Sequence, residues 1–165
     1  MDARKALTDT QIRTIADSRT RASDDAPTAT IRSEARRLAR SVLAATEDLI
    51  TNRRALAAHS GELMPGLLEI PGVGPVTAAI ILSAWSHRGR VRSEAAFAAL
   101  AGAAPLPASS GKTVRHRLSR AGDRQLNRAL DVIARARILT DPTTREYVER
   151  RTTEGRTPRE IRRIL

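Results

Sequence analysis

Two adjacent serines, Ser109 and Ser110, stand just before Gly111 at the start of a segment dense in cations. From Lys112 to Arg137 the chain carries Lys112, Arg115, Arg117, Arg120, Arg124, Arg128, Arg135 and Arg137, against only Asp123 and Asp131. A serine hydroxyl attacks phosphorus only if its proton is removed and cations meet the phosphorus oxygens. Lys112, Arg115, His116 and Arg117 lie close enough in sequence to supply both, His116 as general base or as one more phosphate contact. A serine in a glycine-bounded loop is more often a plain turn residue, so on residue types alone both readings stand. The arginines speak more clearly, because their planar forks match phosphate oxygens. Arg128, Arg135 and Arg137 alternate with apolar positions, which favours a binding surface over a solvated outer stripe. Interleaved aromatics are missing, so the segment suits the backbone of a duplex better than stacked single-stranded bases.

A second anion-binding feature precedes it. Pro71-Gly72-Val73-Gly74-Pro75 is expected to form a hairpin between two apolar helical segments, Leu67–Ile70 and Val76–Trp85. Gly72 and Gly74 permit positive φ and close backbone approach, and the unpaired amides that open the following helix favour an anion. The plain alternative is that two glycines simply allow a tight turn. Two other phosphate motifs fail on spacing. A dinucleotide fingerprint needs glycine where Thr77 stands, and a Walker loop ending at Gly111-Lys112-Thr113 needs glycine at Leu106.

Composition narrows the partner. The chain of 165 residues has 29 basic and 18 acidic side chains, a net charge of +11. That excess calls for an acidic partner. Arginine over lysine could follow from GC-rich codons, but the excess of bases over acids could not. Nucleic acid is favoured over a membrane surface because no sustained apolar helix face accompanies the charge. The longest apolar run, Val76 to Trp85, is too short to span a bilayer. Cysteine is absent, so thiolate metal sites and disulfides are excluded, and His59, His87 and His116 make no metal-ligand pattern. With no secretory leader at its N-terminus, the chain is expected to be cytoplasmic.

The elements that must position these groups are helical. Alanine and leucine dominate the apolar content, aromatics are 2%, and alternating β-type runs are few, so the fold class is all-α. Thr8 is expected to cap a short helix to Arg19, followed by a polar linker over 22–28. Ile31, Ala35, Leu38, Val42, Ala45, Leu49, Asn52, Leu56 and His59 then recur at steps of four and three. This heptad seam predicts a coiled coil or a long helical hairpin. Homo-oligomerisation through residues 31–59 is favoured over packing within the chain, because so long a helix outruns the small domain that follows. Gly61 is expected to end it. The reading is of a helical segment over 1–60 and a small helical domain over 61–165 holding a helix-hairpin-helix-like element and a basic loop. Further helices are expected after Ser93, over 122–139 and after Asp141. Thr157-Pro158-Arg159-Glu160 forms a capping box, and the helix it opens is expected to be cut short at Leu165.

The runs LLEIPGVGPVTAAIILSAW, FAALAGAAPLPASSGK, RLSRAGDRQLNRAL and DPTTREYVERRTTEGRTPREIRRIL follow one another at short intervals. In that order, over about residues 30–165, they resemble the C-terminal half of bacterial insertion-sequence transposases of the IS-one-ten family. The resemblance implies a DNA transposase or site-specific recombinase, guided by a structured RNA. It implies an N-terminal RuvC-like domain with four acidic metal-binding residues, then a coiled coil, then a domain whose serine attacks DNA. Ser110 matches that serine, with Ser109 as the adjacent fallback. Arg117, Arg120, Arg124 and Arg128 fall in the element that lies against nucleic acid. Double-stranded DNA and a guide RNA are the partners so implied. No cofactor is expected in this chain, and magnesium only in the RuvC-like half, which lies outside it. Asp2, Asp9, Asp17, Asp24 and Asp25 do not cluster as metal ligands. The competing expectation is a non-catalytic nucleic-acid-binding or oligomerisation module.

Overall fold

A computed structural model describes residues 6–104, 106–107, 116–117, 119 and 121–165; for 116, 117 and 163 it describes the backbone alone. Among them are seven α-helices, one 3-10 turn and one short β-ribbon, so the fold is all-α. The chain divides into two compact units, Met1–Arg53 and Arg54–Leu165.

In the first unit, α1 (Asp9–Asp17) opens with a reciprocal cap between Thr8 and Gln11. The Thr8 N–H donates to Gln11 Oε1 over 2.9 Å, while the Thr8 hydroxyl accepts the Gln11 N–H. Such a box satisfies two of the donors that a helix start leaves open. The linker is held by Asp24, which accepts the Arg21 N–H at 2.9 Å and pairs with Arg32 Nε at 2.9 Å. Asp25 then accepts the Thr28 N–H at 3.0 Å where α2 (Ala26–Leu63) begins. The Thr28 hydroxyl and amide together hold the Asp25 carboxyl below its ordinary range. Ala16 and Ala39 are the buried apolar residues of this unit.

Four large apolar heptad positions of α2 are exposed in the single chain, while Ala35 and Leu56 are half-buried. Ile31 is 69% exposed, Leu38 55%, Val42 48% and Leu49 68%. The helix also runs past Gly61 to Leu63, against the expected stop. A glycine costs a helix about 1 kcal/mol but does not break it. The break comes at Pro65-Gly66, where Gly66 takes φ 85°.

The second unit is built on α3 (Pro75–Trp85) packed against α5 (Arg124–Thr140). Its core joins Ala84, Ala101 and Leu126, with Ile81, Phe97, Leu100 and Leu130 packed around them. Ala78, Ala101 and Ala129 are buried as well, so small residues let the helices approach closely. Leu126 alone contributes about 1.5–3 kcal/mol through burial. Ser93 caps α4 (Glu94–Leu100), Asp123 caps α5, and Asp141 caps α6 (Pro142–Thr153). Thr157 and Glu160 cap α7 (Pro158–Ile164) reciprocally, and Ile161 of that helix is fully buried. Strands β1 (Leu106–Pro107) and β2 (His116–Arg117) pair antiparallel, Leu106 with Arg117 and Pro107 with His116.

Candidate nucleic-acid interface

The segment before the glycines is a short turn, as its length and flanking prolines require. It is a single 3-10 turn, Leu67–Glu69, because Pro65-Gly66 and Pro71 leave room for little more. Pro71 and Gly72 occupy the centre of a turn closed by the Val73 N–H on the Ile70 carbonyl at 3.0 Å. Gly72 takes φ 83° there, the third-position conformation of a type II turn.

The two glycines serve different purposes. A side-chain carbon on Gly72 would come within 2.7 Å of the Ile133 carbonyl oxygen and 2.8 Å of Arg137 Cγ. The backbone that approaches Gly72 closely is therefore that of α5, and this glycine locks the hairpin onto the core. Gly74 has open space around it. It caps α3 in extended conformation, and its N–H donates to Thr77 Oγ1 at 2.9 Å. Pro75 has no N–H, so the first-turn donors able to meet an anion are those of Val76 and Thr77.

The end of α4 and the start of α5 meet backbone to backbone, with one side-chain hydrogen bond beside the contact. A side-chain carbon on Gly122 would lie 2.3 Å from Gly102 N and 2.5 Å from Gly102 Cα. Gly102 itself adopts φ 66°. The Asp123 N–H donates to the Leu100 carbonyl at 2.7 Å, and Asn127 Nδ2 donates to the Ala101 carbonyl at 2.9 Å. Asp123 Oδ1 meanwhile accepts the N–H groups of Gln125 and Leu126. Gly102, Gly122 and Asn127 escaped the sequence reading. Gly122 was read only as the start of a helix, and its contact with Gly102 spans twenty positions.

Ser109, Ser110, Lys112, Arg115 and Arg120 lie outside the described residues, and Arg117 is described only through its pairing with Leu106. Of the remaining cations, Arg124 and Arg128 are exposed and line a concavity of about 730 Å³ with Ala101, Gly102, Ser119 and Asn127. Arg135 and Arg137 differ. Arg135 pairs with Asp131, whose hydrogen bond and charge hold the guanidinium proton more firmly, and Arg137 lies 3.6 Å from Asp141. Among the described residues the basic run thus splits into Arg124 and Arg128, without an ion pair, and Arg135 and Arg137, paired toward the end of α5. Among the described residues no three histidines or carboxylates come together as metal ligands, so the divalent metal implied by the resemblance has no fitting site there.

Residues 64–149, which include Gly72 and Gly74, the Gly102–Gly122 contact and both serines, match the Transposase IS116/IS110/IS902 family. The chain belongs to that family. It is 37% identical over 112 residues to the Insertion element IS110 uncharacterized 43.6 kDa protein of Streptomyces coelicolor, covering 64% of this chain and 28% of that protein. It is 36% identical over 92 residues to the Insertion element IS900 uncharacterized 42 kDa protein of Mycobacterium paratuberculosis, covering 54% of this chain and 23% of that protein. The aligned part of this chain therefore spans about a quarter of the length of either relative.

Proposed function

We propose that this chain binds DNA and takes part in DNA transposition, as the region of a transposase that carries a serine nucleophile. The observation that carries the reading is the Gly102–Gly122 crossing beside exposed Arg124 and Arg128, which brings together the two ends of the sequence segment that holds Ser109 and Ser110. Family membership over residues 64–149 supports it.

In this reading Ser110 Oγ attacks a DNA phosphorus. The Oγ–P bond forms as a bond from phosphorus to a sugar oxygen breaks, and the displaced oxygen takes up a proton. Arg115, Arg117 and Arg120 neutralise the phosphate oxygens, Lys112, Arg124 and Arg128 hold neighbouring phosphates, and the α3 amides grip the backbone. The test uses this chain with a separately expressed acidic domain and an RNA guide. A covalent protein–DNA adduct should form, and Ser110→Ala should abolish it. An adduct that survives Ser110→Ala but not Ser109→Ala moves the nucleophile by one residue. An adduct that survives both changes removes both serines as the nucleophile, and failure of the unaltered chain to form an adduct leaves a nucleic-acid-binding module without chemistry.

One observation favours an added role in association. Ile31, Leu38, Val42 and Leu49 are exposed along one heptad seam, and a second copy of residues 31–59 would cover them as a coiled coil.

A further inference from the structure

The α3–α4 connection, Ser86 to Ser93, is a second cation-bearing element, separate from the basic run. It reads Ser-His-Arg-Gly-Arg-Val-Arg-Ser and contains no acidic residue. Arg88, Arg90 and Arg92 are all exposed, and among the described residues none has an ion pair. Glu94, the nearest acid in sequence, sits in the first turn of α4 and is also unpaired there.

This connection is built rather than merely linking. Ser86 takes φ 64° and ψ −60°, and it is the one non-glycine residue with positive φ among those described. The His87 N–H donates to the Trp85 carbonyl at 2.8 Å across it. That is a γ-turn of the rare, strained kind. It stops α3 abruptly, and the Ser86 N–H still closes the last helical turn on Leu82 at 2.8 Å. Ser86 Oγ lies 3.2 Å from His87 Nδ1. The Arg90 N–H then bonds the His87 carbonyl at 3.3 Å, Gly89 takes φ 93°, and Ser93 Oγ accepts the Ala96 N–H to start α4. Strained backbone of this type persists where its surroundings enforce it, and it gathers at binding sites.

The loop also adjoins the cations already described. Arg90 lines a concavity of about 310 Å³ together with Ser83, Asp123 and Gln125. Gln125 also lines the larger concavity that holds Arg124 and Arg128. The two hollows thus meet at Gln125, with arginines on both sides that have no ion pair among the described residues. The eleven residues of α3 separate this loop from the glycine hairpin, a rise of roughly 16 Å along the helix. That separation corresponds to about five phosphate steps along one strand of a duplex.

We propose that Ser86–Ser93 is a second phosphodiester contact, in which Arg88, Arg90 and Arg92 hold the backbone of duplex DNA beyond the concavity of Arg124 and Arg128. The inference rests on the DNA-binding reading above and adds to it a site outside the basic run. Three arginines without interleaved aromatics or partner acids suit backbone phosphates, and they carry no means of reading base identity.

The test measures binding of the full chain to a 30-base-pair DNA duplex and to an RNA hairpin of equal charge, across a salt series, with hydroxyl-radical footprints of the duplex. Each phosphate contact on duplex DNA contributes about 0.9 to the slope of log affinity against log salt. R88A/R90A/R92A should flatten the duplex slope by roughly 2–3 and shorten the footprint at one end. The charge-preserving R88K/R90K/R92K should restore the slope. An unchanged slope and footprint in the alanine variant, with binding still lost in R115A/R117A/R120A, would overturn this site and leave the basic run standing. A loss confined to the RNA hairpin would overturn its assignment to DNA. Failure of the unaltered chain to bind either probe would remove the general reading and this site together.

Discussion

Gly122 and Gly102 meet backbone to backbone, so closely that a single added carbon on Gly122 would fall 2.3 Å from Gly102 N. Neither residue offers chemistry, yet their contact joins the end of α4 to the start of α5. Replacing Gly122 by alanine should therefore destabilise the fold by on the order of 2–3 kcal/mol, as overpacking a closed contact does. Gly61 provides the contrast, because it lies within α2 with nothing near its missing side chain. Gly61→Ala should stabilise by about 0.5–1 kcal/mol through helix propensity and a less flexible unfolded chain. Urea unfolding of the two variants checks both signs, and equal effects would contradict the structure.

The seam of α2 yields a prediction about assembly. Light scattering at micromolar concentration should give a mass of at least two chains, and Leu38→Asp with Leu49→Asp should return it to one. A monomer before substitution would show that the exposed seam has no self-partner.

The basic run should be uneven in effect. Arg124 and Arg128 are exposed and without an ion pair among the described residues, while Arg135 and Arg137 face Asp131 and Asp141. Changing the first pair to alanine should lower DNA affinity and flatten its salt dependence by about 2. Changing the second pair should leave the slope nearly intact. Equal losses would mean that the ion pairs give way to phosphate.

Stability should fall in acid in a way traceable to one cap. The Thr144 hydroxyl, followed by backbone N–H groups and Arg137, holds the Asp141 carboxyl below its ordinary range. A carboxylate depressed in the folded state stabilises above its unfolded value of about 3.9 and loses that contribution as pH falls through the folded value. The stability gap between the unaltered chain and Asp141→Asn should thus be constant above about pH 5 and shrink below about pH 4. Thermal melts from pH 2 to 7 follow it, and a gap that stays constant into acid would contradict this account.

The caps were legible in the sequence because each is a local event. Thr8, Ser93, Asp141 and Thr157 meet partners three residues away, and hydroxyl or carboxylate oxygens before an apolar run announce that geometry. The α5 stripe was equally visible, since Leu126, Leu130 and Ile133 repeat at helical spacing. Three things were not. The end of α2 passes Gly61 because a glycine weakens a helix without stopping it. The contact of Gly72 with α5 depends on a partner some sixty residues away, and no local pattern records it. The strained turn at Ser86 has no sequence signature, because serine is not a residue that seeks positive φ. The candidate nucleophile came from residue type, loop context and resemblance, none of which gives the aim of a side chain.

The γ-turn at Ser86 also has an optical consequence. It hangs directly from Trp85, the chain's single tryptophan, whose carbonyl accepts the turn's hydrogen bond. Trp85 is neither fully buried nor fully exposed, so its indole emission is sensitive to what settles nearby. The protein therefore carries a native fluorophore at the root of Arg88, Arg90 and Arg92, undiluted by any second tryptophan. Occupancy of that loop can be followed by intensity or anisotropy at one wavelength, without a label.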